Sequence, residues 1–159
     1  MSLVFDIETD GFVKDMTTIH CVVTLDTDDN RVKTYYGKNL ANGIKELEIA
    51  SEIIGHNIEG FDIPAIQKLY SFKPKGKISD TLKYVRNIWP NIQDEKELNK
   101  NIPEELKGRH SLDAWGYRLG ENKGKYDVGW DKFTEEMLEY CIQDVRVTSL
   151  LWKLICSKI

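Results

Sequence analysis

The sequence predicts a mixed α/β domain. Three observations carry that expectation: β-branched apolar runs early in the chain, apolar stripes at helical spacing in the middle and at the end, and a short strand-like segment between two of the helical stretches. The chain has 159 residues, which suits one domain covering its whole length with a core that needs neither disulfides nor a structural metal. Hydrophobic residues make up 41% and charged residues 30%, a globular composition rather than a disordered one. No apolar run is long enough for a membrane span, and the opening residues lack the basic and apolar regions of a signal peptide. The expectation is a cytoplasmic protein with no membrane contact.

Residues 2–8, 18–26 and 31–37 read as strands, because Ile19, Val22, Val23 and Thr24 favour extended backbone and Val32, Thr34 and Tyr36 alternate with polar neighbours. Asp26 to Asn30 reads as a turn between the last two, its acids serving as turn formers. In 40–51, Leu40, Ile44, Leu47 and Ile49 recur at helical intervals, and Ile53-Ile54-Gly55-His56-Asn57 reads as a buried strand running into a polar loop. A helix over 63–72, a short strand near Ile78 and a helix capped by Asp80 follow. The prolines and charges of 87–108 point to a long loop or lid. Helices over 111–119 and 133–157 close the chain. In the last, Met137, Cys141, Val145, Thr148, Leu151 and Leu154 form the apolar stripe. Cys21, Cys141 and Cys156 lack C-x-x-C spacing and read as core packing in a reducing compartment.

The first strand holds two acids, Asp6 and Glu8, among Leu3-Val4-Phe5-Asp6-Ile7-Glu8-Thr9. Residues two apart on a strand share a face, so these carboxylates stand side by side and repel. Standing alone, the pair reads as a strand end whose acids face solvent. A hard divalent cation would relieve the repulsion of both. On the last helix, Tyr140 and Asp144 are four apart and share a face at the edge of the apolar stripe, where an unpaired carboxylate is costly. In His56-Asn57-Ile58-Glu59-Gly60-Phe61-Asp62-Ile63-Pro64, Asp62 taken singly reads as a helix N-cap.

Taken in order, Asp6, Glu8, Asp62 and Asp144 resemble the acid set of the DEDD (DnaQ-like) 3′-to-5′ exonucleases. Asp6-Ile7-Glu8-Thr9-Asp10-Gly11 is similar to that family's first motif, Asn57-x-x-x-Phe61-Asp62 to its second and Tyr140-x-x-x-Asp144 to its third. The tyrosine branch is indicated, since Glu139 stands where the other branch has histidine. A closer resemblance, covering most of the chain, is to the proofreading exonuclease domain of family A DNA polymerases of short-tailed bacteriophages. It extends to His20-Cys21, Asp80-Thr81-Leu82, the stretch Ser111-Leu112-Asp113-Ala114-Trp115-Gly116-Tyr117-Arg118-Leu119-Gly120, and Lys123-Gly124. Such polymerases continue for several hundred residues. The chain is therefore expected to be either a free-standing exonuclease or an excised domain.

The resemblance implies a ribonuclease H-like fold, with a central mixed five-stranded sheet flanked by helices. It also implies two divalent ions, Mg²⁺ or Mn²⁺, held by Asp6, Glu8, Asp62 and Asp144, with Asp6 shared between them and Glu8 and Asp144 on the ion that activates water. Tyr140 would orient that water as a neutral phenol. Thr9, Asn57, Phe61 and Leu112 are the expected substrate contacts. The partners implied are a single-stranded or frayed DNA 3′ end and a DNA polymerase or replisome protein, the domain itself being a monomer.

A formal net charge of −4 argues against a nucleic-acid surface that grips by bulk charge. The lysines at 73, 75 and 77, and Lys107, Arg109 and His110, read as solvated faces. His56 reads as a loop hydrogen bond and His110 as a helix-start residue. Alternatives stay open: the motifs do not separate DNA from RNA, and a non-catalytic nucleic-acid-binding module would use the same fold.

Overall fold

A computed structural model describes residues 1–122 and 124–159; Lys123, which belongs to the resemblance noted above, lies outside the described residues. Five strands form one sheet in the order β3-β2-β1-β4-β5: β1 (Ser2–Thr9), β2 (Ile19–Asp26), β3 (Val32–Tyr36), β4 (Glu52–Gly55) and β5 (Lys77–Asp80). β1, β2 and β3 pair antiparallel, while β4 and β5 run parallel to β1. The mixed five-stranded sheet flanked by helices is thus as expected from the sequence.

Alternation along β1 builds two cores. Leu3, Phe5 and Ile7 point to the face covered by α1 (Leu40–Ile49) and α2 (Asp62–Leu69), joining Ile44, Leu47, Ile63 and Ile66. Val4 points the other way, toward α5 (Glu135–Cys156), with Val23, Ile54, Cys141 and Val145. A third cluster sets α3 (Thr81–Ile88) and α4 (Leu112–Arg118) against α5 through Val85, Trp115, Leu151 and Ile155. Continuing the alternation, Asp6 and Glu8 fall on the α5 face.

Several sequence expectations shift. Ile49 is exposed while Gly43, Ile44 and Leu47 are buried, because five residues beyond Ile44 the helix has turned away from the core. On α5 the stripe ends on Ile155, with Leu154 only partly buried. Cys21 and Cys141 are buried as expected, but Cys156 lies exposed in the last turn, past the end of the core. The stretch 87–108 is no lid: Ile92, Asn99 and Ile102 are buried, Asn99 donates to the Ile92 carbonyl at 2.6 Å, and Arg118 donates to Asn99 and to the carbonyls of Leu106, Lys107 and Arg109. Burial and this web of bonds fix the segment.

One contact fixes where β4 and β5 begin and another where β4 ends, and the latter end carries the loop of interest below. A Cβ on Gly76, just before β5, would sit 2.2 Å from the Ser51 carbonyl oxygen and 2.3 Å from that of Ala50. After β4, the His56 ring is held at both nitrogens, by the His110 carbonyl at Nε2 and the Thr81 hydroxyl at Nδ1, each at 2.8 Å. A carbonyl can only accept, so Nε2 carries the proton and Nδ1 accepts. The loop hydrogen-bond reading of His56 matches this arrangement.

Gly76→Ala should therefore destabilise the protein by about 1–3 kcal/mol, since backbone cannot swing aside, whereas Gly108→Ala, with nothing within 4 Å, should leave urea unfolding unchanged. Burial also lowers the His56 pKa to about 4 from its ordinary value of 6.5. The unfolded chain then takes up a proton first, so the stability His56 contributes is complete above pH 6.5 and is lost as pH falls through 4. Wild type minus His56→Gln, followed by urea unfolding, should lose on the order of 3 kcal/mol across that window; a flat difference would contradict the neutral buried ring.

Candidate active site

β1 outruns its parallel neighbour. Its ladder with β4 stops at Val4 paired with Ile54, while β2 stays paired along its other edge as far as Thr9. The freed Ile7 N–H would be an unsatisfied buried donor. The Asp62 carboxylate accepts it at 3.2 Å. Asp62 is thereby not the cap it looked like in the sequence: it is the first residue of α2, with Phe61 at the cap position making no side-chain cap bond, and its side chain turns back to the strand edge.

On the same strand a register shift between Glu8 and Thr9 interrupts the pairing with β2, the kind of bulge that re-aims a strand end. Asp10 then ties the turn, accepting from the Thr17 amide and hydroxyl and the Thr18 amide. The Thr17 hydroxyl bond above all lowers the Asp10 pKa to about 2. Thr9 is buried, and its hydroxyl donates to the Gly11 carbonyl at 2.6 Å, so its side chain serves the turn.

From the opposite side α5 lays Cys141 against β1, its Sγ 3.4 Å from an Asp6 carboxylate oxygen. Ligand atoms of Asp6, Glu8 and Cys141 all lie within 4.8 Å of one another. Burial, then Cys21 and the Asp6 charge, hold the Cys141 thiol well above its ordinary pKa. Tyr140, the preceding residue, has its pKa raised by burial and then by the charges of Glu8, Asp6 and Asp113. Asp144 stands half-buried one turn further along α5, three residues beyond Cys141.

Asp62 has its pKa raised well above the ordinary carboxyl value, by burial first and then by the charge of Asp6. Carboxylates gathered in a poorly solvated place, with oxygen donors in the majority, fit a hard divalent cation. Asp6 and Glu8, whose carboxylate oxygens lie together, are the oxygen donors the structure brings within reach of one ion.

Beside these acids lies a cleft of about 710 Å³ lined by Glu8, Thr9, Asp10, Gly11, Phe12, Asn57, Gly60, Phe61 and Trp130. Thr9, Asn57 and Phe61 thus line it together; Leu112 does not, and instead borders a neighbouring groove with His56, Arg86, Arg109 and His110. Phe12 and Trp130 were missed in the sequence. Phe12 is 81% and Trp130 40% exposed, and each follows a glycine; an exposed aromatic on a glycine loop was the available signal. Trp130 reaches the cleft because His20, buried on β2, donates from Nε2 to its carbonyl at 2.7 Å. Its ring meets Tyr126 at 4.7 Å and, edge-on at 82°, Tyr140 at 6.3 Å between centroids.

A family model described as the RNase_H superfamily matches residues 3–156. DNA-directed DNA polymerases of Enterobacteria phage T3 and Escherichia phage T7 are 33% and 31% identical over 98% of this chain. The chain spans 27% of the length of each polymerase. Among solved structures, Brucella melitensis NrnC with bound Mg²⁺ has a TM-score of 0.66 at 17% identity, covering 98% of this chain and 72% of that one. E. coli Exonuclease I in complex with a 5cy-dT13 oligonucleotide has a TM-score of 0.67 at 15% identity, covering 98% and 40%. At these identities the structural likeness speaks for the fold. With the family match running nearly end to end and the acids of β1 and α2 meeting at the strand edge, the chain belongs to the ribonuclease H superfamily.

Proposed function

We propose that residues 1–159 form a single divalent-metal-dependent exonuclease domain that removes nucleotides from single-stranded or frayed DNA 3′ ends. The observation that carries this reading is the adjacency of buried acids to an aromatic cleft: Glu8 belongs to both. A site that cuts a terminal phosphodiester needs charge stabilisation at the phosphate and a seat for the outgoing nucleotide. Two divalent ions, Mg²⁺ or Mn²⁺, held by Asp6, Glu8, Asp62 and Asp144, would supply Lewis-acid stabilisation and a nucleophile usable at neutral pH.

The chain's own residues do the rest. Tyr140 keeps its proton at neutral pH, because burial and the neighbouring Glu8 and Asp6 raise its pKa, and so it orients the attacking water as a hydrogen-bonding phenol rather than as a base. Phe12, Phe61 and Trp130 offer apolar faces to the terminal base, and stacking of that sort is tolerant of sequence. Asn57, exposed at the cleft, offers an amide to the sugar or phosphate.

No helix among the described residues is long and apolar enough to cross a membrane, and the proposed setting is the cytoplasm of a bacterial or phage-infected cell. Likeness to phage polymerases over a quarter of their length supports a proofreading role beside a polymerase, with the domain itself a monomer.

An end-labelled single-stranded oligonucleotide incubated with Mg²⁺ should give a ladder growing from the 3′ end; internal cuts in circular single strands would instead indicate an endonuclease. Faster turnover of a matched RNA would reassign the substrate. Asp6→Ala and Asp144→Ala should each lose at least about 10²-fold in rate while keeping the wild-type circular dichroism spectrum, and chelator should stop the wild type. Tyr140→Phe should lose only about ten-fold, the worth of one positioned hydrogen bond; a loss matching that of Asp6→Ala would refute its positioning role. Trp130→Ala should weaken kcat/KM on a base-bearing terminus by roughly ten-fold and have little effect on an abasic terminus.

A further inference from the structure

We propose that Asp80 is a positioning residue for the cleft, acting through the loop between β4 and α2; the proposal rests on the exonuclease reading of that cleft. Asp80 ends β5 and is 4% exposed. One carboxylate oxygen accepts from the Leu82 amide at 3.0 Å, capping α3, and from the Asn57 amide at 2.8 Å. The other accepts from the Glu59 amide at 3.0 Å. Capping needs one oxygen and one amide. The other two bonds leave the helix and enter a loop that carries cleft residues.

Asn57 needs such a clamp. Its φ is 60°, the left-handed region that costs a side-chain-bearing residue free energy unless its surroundings impose it. The Asn57 side chain lies over Gly60, where a Cβ would come within 2.6 Å of Oδ1. Ile58, fully buried, anchors the middle of the loop. Phe61 and Asp62 follow, one lining the cleft and the other reaching the Ile7 amide. The Asp80 carboxylate thus fixes the amides at both ends of 57–59, and through them the direction from which Asn57, Phe61 and Asp62 arrive.

The first turn of α3 adds two further ties: Thr81 to the His56 ring and Lys83 to Glu59 at 2.7 Å. The Lys83 pair is solvent-exposed and contributes little. Asp80 is the tie that is buried, charged and threefold bonded, and charge-assisted bonds of this kind are the strong ones.

The test separates the clamp from the cap. Asp80→Ser retains a capping oxygen but cannot reach both loop amides. Asp80→Asn keeps the size and one acceptor, and turns an NH₂ toward the Glu59 amide. Val85→Ala, fully buried in the cluster of Trp89, Trp115 and Leu151, is the stability control.

In Asp80→Ser, hydrogen exchange at the Asn57 and Glu59 amides should accelerate, and the Mn²⁺ binding midpoint, measured by calorimetry without substrate, should rise about ten-fold or more. Asp80→Asn should fall between this and wild type. With oligonucleotide, kcat should drop more than KM rises. Val85→Ala should lower the Tm with the Mn²⁺ midpoint unmoved. An unmoved midpoint in Asp80→Ser, or an equal shift in Val85→Ala, overturns the proposal. Should Asp80→Ser fail to fold, the same readouts on Asp80→Asn decide. If the wild type degrades no 3′ end, the exonuclease reading fails, while amide exchange and Mn²⁺ binding still decide whether Asp80 positions the loop.

Discussion

The hydrogen bond from the Ile7 amide to Asp62 is the constraint on which the candidate site depends. It arises because β1 is longer than β4: beyond Val4 the parallel ladder ends, and a central strand acquires an open edge inside the protein. Backbone donors exposed in that way must be satisfied. A carboxylate from the next segment does so, and in doing so comes within reach of the Asp6 charge. Topology therefore creates the acid cluster. The sheet order β3-β2-β1-β4-β5 puts β1 at the centre, where the helices of both faces can bring side chains to its end, α2 from one face and α5 from the other.

Concentrating carboxylates there works against stability. Burial and the Asp6 charge both push the Asp62 carboxyl toward its neutral form, and each such group is one a core would ordinarily exclude. The two apolar clusters flanking β1 offset this, because Leu3, Phe5 and Ile7 pack on one face and Val4 and Cys141 on the other with almost no solvent exposure. The acids thus sit at the rim of well-packed layers. A site whose groups repel needs a rigid surround, and protein interiors at native packing density give one.

Much of this was legible in the sequence because it is periodic or local. Alternation in β1 and the stripe of α5 announce their buried faces, and Asp6 with Glu8 breaks the pattern where function enters. Less legible were features that depend on partners distant in sequence. Asp62 before a helix has the local signature of a cap, and only the unpaired edge of β1, fifty-five residues away, turns it around. Asp80 is a cap as expected, but its further bonds to Asn57 and Glu59 need the β4–α2 loop folded beside it. The stretch 87–108 has the composition of a mobile loop, and Arg118 makes it a packed one by satisfying its carbonyls. Phe12 and Trp130 lie in segments without periodicity, so pattern gives no hint that they face one cleft.

The segment carrying Trp130 shows how the cleft and the acid cluster are joined. Thr134 caps α5 by accepting from the Met137 amide at 3.1 Å, and the same hydroxyl lies 3.1 Å from that of Tyr126, which also donates to the Gly129 carbonyl. The helix that carries Tyr140 and Asp144 and the turn that carries Trp130 therefore share one anchor. His20 fixes the far side of the turn to β2 through the Trp130 carbonyl. With Tyr126 at 5.6 Å and Trp130 at 6.3 Å from the Tyr140 ring, the phenol is flanked by Tyr126 and by Trp130, the latter a residue of the cleft. Packing at the start of α5 thus ties the wall of the cleft at Trp130 to the helix that carries Tyr140 and Asp144.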